Sequence, residues 1–305
     1  MADPAAFRED PDRFMEVFQE VVADHDMAVA EWVDNGAKLC HVSGKEMTLF
    51  FGNLYRECMS GEEEEWPSLI ARFLQHMFEI EDTTQTLAEA SDQVRPRVGK
   101  PFRMDGGQPA PWSMPLDGTD LVLNLVIDYP ERMQYVNTEM VDETGRTAAE
   151  WLDLALDNLQ QRTPSDWYEV IDEETDIRVA QVGDSYDASR SLLLDELLPE
   201  TIEQGCFVLP LGRDRLFFMP VQIDSLPHVH LLKLLADKNY DRTPYAITNE
   251  IYWVCQRKWT RFPIEIDGDS VRVYPPIEMA RALGWIEDVS EDVSEDGAAE
   301  TDEEF

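Results

Sequence analysis

Apolar positions along the chain change their period several times, and each change marks an element. Phe14, Val17, Phe18, Val21 and Val22 recur at helical spacing, so a first helix is predicted within residues 11–33. "AKLCHV" (37–42) and "EMTLFF" (46–51) are short apolar runs joined by Ser43-Gly44-Lys45, which predicts a β-hairpin. Trp66, Leu69, Ile70, Phe73 and Met77 form one stripe and predict a helix over 66–80, with Glu62 to Glu65 favouring its positive N-terminal end.

A glycine- and proline-rich stretch, 99–118, then reads as a long loop or linker. "DLVLNLVID" (120–128) and "MQYVNTEM" (133–140) predict a second hairpin through Tyr129-Pro130-Glu131. Thr147 and Glu150 are spaced as a capping box ahead of the stripe Ala148, Trp151, Leu152, Ala155 and Leu159, so a third helix is predicted there. "DWYEVI" (166–171) pairs with "DIRVAQV" (176–182). A leucine-rich helix follows "GDSYDASR" and stops at Pro199. "CFVLPL" (206–211) and "RLFFMPV" (215–221) form the next hairpin, and a fifth helix starts near Asp224 or Ser225, with Pro227 tolerated in its first turn. "EIYWVCQ", "WTRFPIEI" and "SVRVYP" close the strand series before a short helix, "PIEMARALGWI".

The order helix, strand, strand recurs about five times with uneven spacing. The expected fold is therefore α+β: repeated helix-hairpin units forming antiparallel sheets, with helices packed mainly on one face. The expected organisation is a helix-hairpin-helix region at 1–98, the linker 99–118, an α+β region at 119–286 and a disordered tail at 287–305.

Charge changes the picture of partners. The chain carries 63 acidic and 25 basic residues, a balance of −38, and its last twenty residues hold ten acids and no base. Without them 53 acids still face 25 bases. Such a field repels phosphate backbones and anionic lipid, so no nucleic-acid or membrane partner is expected. No run approaches the about 18 apolar residues of a membrane span. The N-terminal "MADPAAFREDPDRF" has no basic region followed by an apolar stretch, so it does not read as a secretory signal. Cysteines 40, 58, 206 and 255 are scattered without a C-x-x-C pair, against both a zinc site and a disulfide framework. A cytoplasmic protein with free thiols, no metal and no cofactor is the expectation.

Candidate chemistry is sparse. No serine sits in a G-x-S-x-G elbow, and no phosphate-binding glycine loop occurs. His228 and His230, two apart on a predicted helix, are separated by about 200° and cannot share a metal there, although in an extended segment they could share a face. In "GDSYDASRSLLLDELL" (183–198), Asp184, Ser185, Asp187 and Ser189 are helix-capping types, so capping is their expected role. Tyr186 and Arg190 are left unexplained by capping. The functional alternative is a carboxylate pair, Asp184 and Asp187, working with Arg190 in a hydrolase or transferase. Trp253, Arg257, Lys258, Trp259 and Arg261 form one basic aromatic stretch, a candidate binding patch.

The run Tyr186-Asp187-Ala188-Ser189-Arg190 opens a leucine-bearing helix. A glycine, a proline-containing apolar strand and a second apolar strand after an aspartate follow. With "VRPRVGK" (94–100) and "DLVLNLVIDYPERMQYVNTEMV", this resembles the YtpQ-like family of uncharacterised bacterial proteins (domain-of-unknown-function family 1444). The resemblance implies no activity. With no catalytic signature, a non-enzymatic module that binds another protein is the expected function.

Overall fold

A computed structural model describes residues 11–286 except 34–35, 43, 45, 51, 79–84, 102–110, 130–132, 200–201 and 269. The chain is a mixed helix and sheet protein in which, among the described residues, every strand pairing is antiparallel. The tail 287–305, expected to be disordered, lies outside the described residues, as does part of the expected linker.

The first helix, α1 (Pro11–Asp24), is shorter than its predicted span. Its stripe Phe14, Val17, Phe18, Val21 and Val22 is fully used as core. Asp26 then adopts a left-handed backbone, φ 57, and residues assigned to the helix become strand β1 (Met27–Val33). That segment carries Val29 and Val33 and buries Met27 between exposed neighbours, a half-buried strand pattern. β1 pairs with β2 (Gly36–His41), which pairs with β3 (Glu46–Phe50) as the predicted hairpin. Two helices follow, α2 (Gly52–Ser60), absent from the sequence reading, and α3 (Trp66–Phe78). The Trp66 indole N–H donates to the Cys58 carbonyl (2.7 Å), and the Phe14 ring meets Tyr55 edge-on at 5.1 Å.

This first core draws on residues 14–74, whereas Leu87, Ala90 and Val94 pack with residues 125–155. The division between cores therefore falls ahead of residue 98. In the second sheet β6 (Val122–Asp128) is central. β4 (Val94–Gly99) lies along one side, while β5 (Ser113–Pro115) and β7 (Met133–Tyr135) share the other. β7 ends earlier than predicted because Asn137 accepts the Met140 N–H and starts α4 (Thr138–Glu143). The capping box at Thr147 and Glu150 is present and opens α5 (Ala148–Arg162), which buries Trp151, Ala155 and Leu159.

The largest sheet has six strands: β8 (Tyr168–Asp172), β9 (Ile177–Ala180), β10 (Cys206–Gly212), β11 (Arg215–Pro220), β12 (Tyr252–Cys255) and β13 (Lys258–Arg261), in the order β13-β12-β10-β11-β9-β8. On one face Cys206, Val208, Leu216, Phe218, Tyr252 and Val254 meet Ala188, Leu194 and strands of the second sheet. On the other, Phe207, Leu209, Phe217, Met219 and Trp253 meet Val229, Leu232 and Ala236 around α6 (His230–Asn239). A short 3₁₀ helix (Ala188–Leu193) with one helical turn behind it (Leu194–Leu197) thus covers the face opposite α6. The expectation of helices mainly on one face is corrected: β10 and β11 are unbroken apolar runs because both of their faces are buried. β14 (Ile264–Asp267), β15 (Ser270–Val273) and α7 (Ile277–Ala282) complete the chain. Three strands follow α1, and paired helices follow β3 and β7, so the order is not a uniform helix-strand-strand repeat.

Candidate functional site

Residues 181–187 turn sharply between β9 and the 3₁₀ helix, with left-handed backbone at Gly183 (φ 79) and Ser185 (φ 74). The turn is fastened by side chains rather than by a helix cap. Asp187 sits at the N-cap position, yet its carboxylate reaches backwards and accepts the N–H groups of Val182 (3.0 Å) and Gly183 (3.0 Å). Asp184 accepts the Tyr186 N–H at 3.2 Å. Ser189 accepts the Val98 N–H at 3.0 Å and ties the 3₁₀ helix to β4. Asp187, at the N-cap position, therefore does not cap the 3₁₀ helix with its side chain.

Arg190 joins both carboxylates. Its Nη1 donates to Asp184 (2.9 Å) and Asp187 (3.0 Å), its Nη2 to Asp184 (2.7 Å), and its Nε to the Thr163 hydroxyl (3.2 Å). The side chains of Arg190 and Asp187 are 0% exposed, and that of Asp184 13%. Arg162 links Asp184 to Asp128 on β6. Burial pushes the Asp184 carboxyl up, but the Arg190 hydrogen bonds and charge, with the Tyr186 N–H and Arg162, outweigh it and hold it low. For Asp187 burial wins over the two N–H donors and Arg190, and the carboxyl is held up. Tyr186 packs between Val126, Leu159 and Leu193; burial, then the neighbouring Asp128, pushes its phenol up.

Chemically, this arrangement is a lock. Asp184 accepts from Arg190, Arg162 and the Tyr186 N–H, and Asp187 is 0% exposed, so neither presents itself to a substrate without breaking the turn. Among the described residues no group of three or more metal-ligating side chains occurs.

The second candidate set is not brought together as a surface. Trp253 is buried on the α6 side and donates its indole N–H to the Gln204 carbonyl (2.8 Å), whereas Trp259 is buried on the opposite side of the sheet. Arg257 pairs with Glu196 and Arg261 with Glu250, leaving Lys258 as an exposed cation beside two core indoles.

Two features escaped the sequence reading. A cavity of ≈ 340 Å³ lined by Arg178, Glu203, Gln204 and Gln222 has no residue of either candidate set in its lining. Arg178 is 8% exposed and bidentate to Asp176, at 2.8 Å for both bonds. The other feature is a polar face on the second sheet carrying Arg95, Arg97, Asn124 and Tyr135. The alternation in "VRPRV" was its only signal.

Compared with protein-family models, with curated proteins and with solved structures, the chain gives no match in any of the three. No helix among the described residues is long and apolar enough to cross a membrane.

Proposed function

We propose that the protein works by binding another protein, one that presents apolar side chains within a basic surface. The observation that carries this reading is where apolar surface is left open. Of the twelve large apolar side chains exposed among the described residues, five fall between 271 and 286: Val271, Tyr274, Ile277, Trp285 and Ile286. Ten carboxylates follow directly in residues 287–304. Exposed apolar surface beside a dense charge of one sign marks an association surface, and the charge selects the partner's sign. The burial and mutual pairing of Asp184, Asp187 and Arg190 support binding over turnover at that cluster. The Tyr186–Arg190 run supports membership of the YtpQ-like family, and four free cysteines, two of them buried, support a reducing, cytoplasmic setting.

The test is calorimetric titration of the full chain with two synthetic peptides of equal charge, one alternating leucine and lysine at helical spacing, the other lysine and serine. The leucine peptide is expected to bind tighter, and Ile277→Asp with Trp285→Ala to weaken it about tenfold or more without affecting the serine peptide. Equal binding of the two peptides, or indifference to the double substitution, would mean that charge alone attracts and would refute the docking surface.

A further inference from the structure

β4 alternates cleanly. Val94, Pro96 and Val98 are buried towards the core, so Arg95 and Arg97 project from the opposite face of the second sheet. Register extends that face across the sheet: Arg95 lies opposite Val126, which lies opposite Tyr135, and Arg97 lies opposite Asn124, which lies opposite Ser113. Directly opposed residues of antiparallel strands share a face. The Tyr186 ring packs on Val126 and so roofs this rank.

Two donors buried here lack a hydrogen-bond partner, the Tyr186 hydroxyl and Arg95 Nε, and beside them the acceptor Asn124 Oδ1 is unmatched too. Asn124 is 2% exposed and Tyr186 0%. Buried polar groups are normally satisfied, so two unmatched donors close to one face mark a place where an acceptor fits. The Arg97 guanidinium lies 5.3 Å over the Tyr135 ring and gives one N–H to the Met133 sulfur (2.8 Å); among the described residues no carboxylate pairs with it. In a chain with 63 acids that is a telling absence. Burial, with Arg162 nearby, holds Arg95 below the usual arginine range. Asp128, the carboxylate that acts on the Tyr186 hydroxyl, lies outside strict hydrogen-bond geometry from it and is paired with Arg162.

We propose that this face binds a small oxyanion, of phosphate or carboxylate type, held by the Arg97 guanidinium with the Tyr186 hydroxyl donating from above. Asn124 sits directly across from Arg97, where its amide N–H group can donate to the ligand and fix its orientation. A planar guanidinium with free N–H groups suits either oxyanion. The site is independent of the docking surface at 271–286.

Thermal melting and calorimetry of the full chain with inorganic phosphate and with succinate, each against sodium chloride of matched ionic strength, test it. One of the two anions is expected to raise the melting temperature by several degrees when far above its Kd. Arg97→Gln, a half-exposed position, is expected to abolish that shift, and Tyr186→Phe to weaken binding about tenfold. A response to phosphate alone assigns a phosphate ligand, and one to succinate alone a carboxylate. If neither anion shifts the melting temperature beyond the chloride control, or if Arg97→Gln shifts as the wild type does, the orphaned atoms are met by water or by an adventitious ion only, and the proposal falls.

Discussion

Replacing Arg190 with methionine tests the lock at residues 184–190 most directly. The side chain is fully buried and supplies four hydrogen bonds, three of them to carboxylates. Methionine fills much of the volume, so the loss is mainly electrostatic. Removing one partner of a buried ion pair costs about 3–5 kcal/mol, because the remaining charge is stranded. Asp184 keeps Arg162 at 3.4 Å and Asp187 keeps two backbone N–H donors, which places the expected loss near the lower end, about 3 kcal/mol. At about 2–4 °C per kcal/mol for a large domain, the melting temperature falls by about 6–12 °C. The pH dependence carries a sign. Asp184, held below its ordinary value of 3.8, contributes stability that is present above that value and lost as pH falls through its lower folded value. Asp187, held above 3.8, destabilises the fold most when ionised, and Arg190 is what makes that ionised form tolerable. Both effects make the gap between wild type and Arg190→Met widest at pH 7 and narrower on acidification. Urea denaturation followed by tryptophan fluorescence at several pH values reads it. Combining Arg190→Met with Asp184→Asn and Asp187→Asn should recover much of the loss, since no buried charge is then stranded. A gap under about 1 kcal/mol at pH 7, or one that does not change with pH, would show that the cluster is not an electrostatic lock.

Two further outcomes follow from local geometry. Gly205 has φ 79, and a Cβ there would meet the Val254 carbonyl oxygen at 2.2 Å, whereas Gly145, at φ 71, has open space around it. Gly205→Ala should therefore lose clearly more stability than the roughly 1 kcal/mol of backbone strain expected of Gly145→Ala, and equal losses in urea melts would contradict the close approach. Cys58 is fully buried, and burial, helped by Glu57, pushes its thiol up to about 12, while Cys40 is half-buried. Iodoacetamide at pH 8 should label Cys40 well before Cys58 in the folded chain, with the difference vanishing in urea; equal rates without urea would place Cys58 wrongly.

Legibility differed with the physics of each segment. β10 and β11 could be read because each is an unbroken apolar run that no other arrangement buries as well. β1 could not, because Met27 to Val33 carries apolar residues at spacings that suit a helix as easily as a strand; the left-handed Asp26 decides between them. The split of Trp253 from Trp259 follows from hairpin register: with Gln256 and Arg257 as the turn, Val254 faces Trp259, so Trp253 must point the other way. The role of Asp187 was hidden for a different reason. Aspartate at a helix start usually accepts from the first turn, and only the curvature set by Gly183 and Ser185 brings the Val182 and Gly183 N–H groups within its reach instead.

Tyr186 connects the lock with the polar face. Its backbone N–H is held by Asp184, which Arg190 holds in turn, while its ring and hydroxyl look onto the strands that carry Arg95, Arg97 and Asn124. The dependence therefore runs one way. Loosening Arg190 frees the turn that aims Tyr186, so it disturbs the oxyanion site as well as the fold. Removing the Arg97 charge leaves every bond of the lock in place, because none of the hydrogen bonds that fasten residues 182–190 involves Arg97. The tyrosine that capping could not account for is thus buried for a reason of its own: it carries the rigidity of an ion-paired turn to a surface whose polar atoms are otherwise unmatched.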